Sequence, residues 1–133
     1  MKTTMFGAGL ALAALALTSH LPRALAAASD YEFRLTHTNV TKGDAAVISA
    51  TLVDKRTGKT VPNAVISAKR LDMAPAGMET MTTPLDPLPS TEPGVYRFKA
   101  KIAMDGDWRL SLGAKVQGET GTVESKLVLK VTP

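Results

Sequence analysis

Residues 95–116 read VYRFKAKIAMDGDWRLSLGAKV, two alternating runs that meet at Asp105-Gly106. In the first, Tyr96, Phe98, Ala100 and Ile102 alternate with Arg97, Lys99 and Lys101. In the second, Trp108, Leu110, Leu112, Ala114 and Val116 occupy every other position. A period of two gathers the apolar side chains on one side of an extended chain, which is the pattern of a half-buried strand. An Asp-Gly pair between two such runs predicts a tight β-hairpin, because glycine takes up the positive φ that the turn demands.

The same period extends outward in both directions. Tyr31, Phe33, Leu35 and His37 share one side of residues 31–38, and Ala46, Ile48, Ala50 and Leu52 share one side of residues 44–53. Residues 64–73 read as a further strand with Ile66 and Ala68 on its apolar side. Val123, Ser125, Leu127, Leu129 and Val131 line the last strand. Between them stand turn signals: Asn39 to Gly43, the polar loop DKRTGKTVPNA with Gly58 and Pro62, Thr91-Glu92-Pro93-Gly94, and Gln117 to Gly121. No mature stretch carries a helical period. About seven short strands in roughly 100 residues point to an all-β antiparallel sandwich of immunoglobulin-like type. Four prolines between Pro84 and Pro93 lack the N–H a central ladder needs, so that segment is expected to be a surface crossing or an edge connection.

The N-terminus has a different character. Lys2, the apolar run Met5 to Leu17 and the small-x-small triplet Ala24-Leu25-Ala26 make residues 1–26 an expected signal peptide, leaving a domain of residues 29–133. The apolar run is short for a bilayer span, and His20, Pro22 and Arg23 close it. Cleavage would imply a periplasmic protein with no stable membrane insertion; an uncut segment would leave it membrane-anchored. Loss of Lys2 and Arg23 leaves 14 basic residues against 12 acidic ones, so the net charge falls from +4 to +2. That balance, without a basic face carrying stacking aromatics, gives no reason to expect nucleic acid as a partner. A single tryptophan likewise offers no aromatic platform for a sugar.

The chain has no cysteine, which excludes disulfides, thiolate metal sites and cysteine nucleophiles. His37 is the only histidine downstream of the expected signal, too little for a Ser-His-Asp arrangement, and no enzyme is expected. Methionine is the residue type left with chemistry to offer. Met73, Met78 and Met81 fall in LDMAPAGMETMTTPLDPLP, residues 71–89, and Met104 opens the turn before Asp105. A thioether is a soft, neutral ligand that suits Cu(I), and it binds without losing a proton. Met73, Met78, Met81 and Met104 are therefore candidate ligands, with His37 as a further nitrogen donor if its strand ends at the same rim. Methionine also fills irregular gaps beneath long loops, so packing is the competing reading for each of the four.

The run Thr57-Gly58-Lys59-Thr60-Val61-Pro62-Asn63-Ala64, the methionine-bearing segment, Gly94-x-Tyr96 and Met104-x-Gly106-x-Trp108 together resemble the YtkA-like and FixH-like group of small exported domains. The likeness runs from about Tyr31 to Val131. It implies an immunoglobulin-like sandwich. It also implies a setting, since such domains occur alone or attached to periplasmic adaptors of heavy-metal efflux pumps, and relatives accompany copper handling for respiratory oxidases. The chain departs from the more metal-suggestive members in having no histidine beside its methionines and Thr60 where proline is frequent. The first departure disfavours Cu(II) and zinc and leaves Cu(I) or Ag(I). Two functions follow as expectations: a metal-handling protein that binds or delivers Cu(I)/Ag(I), or a sandwich that docks to an efflux or oxidase assembly without binding metal, with Arg97, Lys99 and Lys101 as a polar rim.

Overall fold

Residues 28–133 are described by the computed structural model, and the expected signal peptide lies outside them. Among them the chain forms nine strands: β1 (Tyr31–Leu35), β2 (Asn39–Thr41), β3 (Gly43–Asp54), β4 (Val65–Met73), β5 (Met78–Thr83), β6 (Asp86–Leu88), β7 (Val95–Ile102), β8 (Gly106–Lys115) and β9 (Val123–Thr132). They build two sheets, one ordered β1-β3-β7-β6 and the other β2-β9-β8-β4-β5. All pairings are antiparallel except β2 with β9, so the molecule is a sandwich of one antiparallel and one mixed sheet.

Five strands, β1, β3, β7, β8 and β9, follow the alternation of the sequence. Phe33, Ile48, Leu52, Phe98, Ala100 and Ile102 from the first sheet meet Leu71, Trp108, Leu110, Leu112, Leu129 and Val131 from the second, all of them buried. Burying each large apolar side chain contributes about 1.5–3 kcal/mol, and with no cross-link available this core carries the fold. Ser125 is the polar member of the last apolar row, and its Oγ accepts the Phe33 amide at 3.3 Å, tying β9 to β1. Tyr96 performs a similar task on the other side. Its hydroxyl donates to the Val61 carbonyl at 2.8 Å and accepts the Ala64 amide at 2.9 Å, which pins the loop leading into β4.

The structure corrects several expectations. Asp105-Gly106 is not the turn of a hairpin within one sheet: β7 pairs with β3 and β6, whereas β8 pairs with β9 and β4. The turn is an arch between the sheets. Alternation suits both arrangements, because in either case the apolar sides of the two runs face a common core. Asn39 to Thr41 is not a turn but the short strand β2, and the chain crosses from one sheet to the other through Thr36, His37 and Thr38. In β4 the apolar side is carried by Leu71 and Met73, while Ala68 is exposed, because the ladder with β8 shifts register between Ile66 and Ala68. The basic row Arg97, Lys99 and Lys101 lies on β7, a strand paired on both sides, with Asp86 of β6 opposite Lys99. The Pro-rich crossing contains β6, an edge strand, where Pro87 costs no central hydrogen bond.

Candidate functional site

The candidate methionines separate by burial. Met73 is 1% exposed and belongs to the core, whereas Met78, Met81 and Met104 are 37%, 40% and 39% exposed. Met73 continues the inward phase of Leu71 and ends β4. Beyond it the chain makes a single 3-10 turn at Ala74–Ala76, in which Pro75 is followed by Gly77 at φ 76. The Gly77 amide closes that turn on the Ala74 carbonyl at 2.9 Å and reverses the chain into β5, so that Met78 stands opposite Met73.

A buried carboxylate anchors the same turn. Asp72 is fully buried; its Oδ1 accepts the Ala74 amide at 2.9 Å, and its Oδ2 meets Arg70 Nε at 2.9 Å and Arg109 at 3.1 Å. Burial on its own would raise the Asp72 pKa, but the Ala74 amide and the two guanidinium groups outweigh it and hold the carboxyl below its ordinary range. Arg70 also donates to the Glu79 carbonyl at 2.8 Å. One acid thus orders the ends of β4, the turn, and the start of β5.

The arch brings Met104 to this end of the sandwich. A Cβ built on Gly106 would lie 3.3 Å from the Met73 terminal methyl, so the floor beneath the arch is Met73 itself. Trp108 Nε1 donates to the Met104 carbonyl at 3.0 Å and fixes the arch from inside. Across the gap between the sheets, Thr83 Oγ1 donates to the Lys101 carbonyl at 2.8 Å. The strands β5 and β7 run in opposite directions and touch, so Met81, two residues before Thr83, stands about level with Ala103, towards the end of the sandwich that carries Met104. Met78, Met81 and Met104 therefore rim one end of the molecule, with Met73 beneath them.

His37 is elsewhere. It is exposed on the crossing that leads into β2, at the opposite edge of the five-stranded sheet from β5. Four strand spacings separate those edges, on the order of 19 Å. No group of three or more His, Asp or Glu side chains among the described residues is arranged to hold a metal. Sequence reasoning passed over the Arg70–Asp72–Arg109 cluster, although R-x-D on a strand, with an arginine on the neighbouring one, was its available signal.

The described residues contain no helix long and apolar enough to cross a membrane. Comparison with curated proteins gives no match. Among solved structures the chain is similar to the Lin-41 filamin domain, at 15% identity and a TM-score of 0.44 over 77% of this chain and 92% of that one. It is also similar to the ZirS C-terminal domain, at 15% identity and a TM-score of 0.45 over 79% of this chain and 67% of that one. The model of the YtkA-like family matches residues 25–113, well over half of the sequence, and the chain belongs to the YtkA-like family.

Proposed function

We propose that this small β-sandwich is an exported, periplasmic, non-enzymatic module that binds Cu(I) or Ag(I) through Met78, Met81 and Met104 and hands the ion to an acceptor. What supports the reading is that Met78, Met81 and Met104 all lie towards one end of the sandwich and are each more than a third exposed. Methionines that keep more than a third of their surface in water leave their sulfurs within reach of an ion, and in a chain without cysteine they are its soft donors. Each thioether is a weak ligand taken singly, so a rim of three suits transfer by stepwise ligand exchange. Met73 serves as the apolar floor and His37 takes no part. The acceptor fits the setting of the family resemblance, a membrane-bound efflux or oxidase assembly.

Titration with Cu(I) under anaerobic, reducing conditions tests this. Replacing Met78, Met81 and Met104 together by leucine is expected to weaken binding by at least about tenfold, about 1.4 kcal/mol. Met73→Leu, a volume-conserving change in the core, is expected to cost less than about 1.5 kcal/mol of stability and to leave affinity within about twofold. Equal affinity in the wild type and the triple variant, with both folded, overturns the proposal.

A further inference from the structure

Strand β4 is bonded to β8 along most of its length, from Val65 to Asp72, but to β5 only at Leu71, Asp72 and Met73. The reason lies in the chain. Pro84 follows Thr83, has no N–H to extend the ladder, and turns the backbone across to β6 in the other sheet. Residues 65–70, VISAKR, are left with no strand neighbour on the side facing away from β8. Val65 there is 66% exposed, the highest value among the large apolar side chains of the described residues.

This open edge has a groove along it. A cavity of about 630 Å³ runs between residues 66–71 of β4 and the Thr82–Leu85 segment, and a second of about 600 Å³ continues from Ile66 past Pro87 to Phe98. A free edge is a hazard that proteins blunt with bulges and inward-pointing charges. Both devices are present: the register shift between Ile66 and Ala68, and Lys69, which stands opposite inward-facing Leu112 yet is itself exposed. They also define what can pair. A second copy is disfavoured, because pairing two such edges sets two exposed Lys69 side chains and no free acid on one short ladder, Arg70 being already engaged by Asp72. An extended segment that carries an acid opposite Lys69 and an apolar residue against Ile66 meets neither obstacle.

We infer that the free edge of β4 is a strand-addition site for a partner protein: an extended segment of about five to seven residues pairs its backbone with Val65–Arg70 and sets an acidic side chain against Lys69. Such a site lies on the flank of the sandwich, apart from the methionine rim, and stands whether or not the rim binds metal. Main-chain pairing supplies the contact, Lys69 supplies the selection, and the grooves receive the alternate side chains.

The test uses the peptide Thr-Val-Thr-Glu-Thr-Val-Thr, capped at both ends, and a twin with lysine in place of glutamate; the sequence reads the same in both strand directions. With millimolar peptide, amide exchange within Val65–Arg70 is expected to slow by at least about tenfold, with no comparable slowing elsewhere. Lys69→Glu, a substitution at an exposed site, is expected to weaken the glutamate peptide by about fivefold or more and to favour the lysine twin. Failure of millimolar peptide to slow those amides overturns the inference, as does equal binding of both peptides by the wild type. Slowing of the same amides on raising protein concentration, with no peptide present, would assign the edge to a second copy and overturn it too.

Discussion

Asp72 is the buried charged side chain among the described residues. Its carboxylate is out of water, yet it accepts one backbone amide and faces two arginines, so the charged form is the favoured one. The folded carboxyl therefore ionises more readily than the unfolded one. The stability it adds is fully present above the unfolded carboxylate range, near pH 4. It is lost as pH falls below that range and through the lower folded value. Asp72→Asn is expected to cost about 3 kcal/mol, the low end for a buried pair because Arg70 and Arg109 keep part of their surface in water. Denaturant titrations between pH 7 and pH 2 should show wild-type stability falling towards that of the variant, and parallel curves would refute the assignment. At this scale the candidate site was only half legible. The methionines could be named, but the burial of Met73 could not, because the bulge between Ile66 and Ala68 puts Leu71 and Met73 inward against the phase read from Ile66 and Ala68; the exposure of Met78, Met81 and Met104 depends on a turn and an arch that no local pattern announces.

Among the elements, the turn into β7 sets a tighter constraint than its short sequence suggests. Gly94 lies at φ 81, its carbonyl accepts the Leu52 amide at 2.9 Å, and a Cβ there would stand 2.5 Å from the Thr60 Cβ. Gly94→Ala combines a left-handed backbone with a collision against the segment that bridges to Val53, and should cost about 2–3 kcal/mol in equilibrium unfolding. A loss below about 0.5 kcal/mol would mean that the Thr60 segment gives way instead. Strands β1, β3, β7, β8 and β9 were readable because one buried side imposes a period of two along most of their length, even though Leu52 and Val53, and Leu112 to Ala114, are buried in succession. The short ones were not. Asn39–Thr41, Met78–Thr83 and Asp86–Leu88 are edge strands whose pairing is dictated by neighbours distant in sequence, and their own residues carry no apolar alternation.

For the whole molecule, the arrangement of the two sheets separates two surfaces of different character. The end that holds Met78, Met81 and Met104 is built where strands turn over, while the open flank of β4 arises where a strand is left without a neighbour. Reading alternation alone gives the number of layers and the composition of the core, but not which strands are adjacent, and so neither surface could be located before the topology was known. The hydrogen bond from Trp108 Nε1 to the Met104 carbonyl adds a practical property. The indole is the sole tryptophan of the chain, and it is 3% exposed. Its fluorescence therefore comes from one place, directly under the arch. An ion drawn onto the Met104 sulfur would disturb that emission, so Ag(I), which is colourless and redox-inert, should change it in the wild type and leave it unaltered when Met78, Met81 and Met104 are leucine. The fold has placed an optical gauge beneath the sulfur rim, and occupancy there can be followed without attaching any dye.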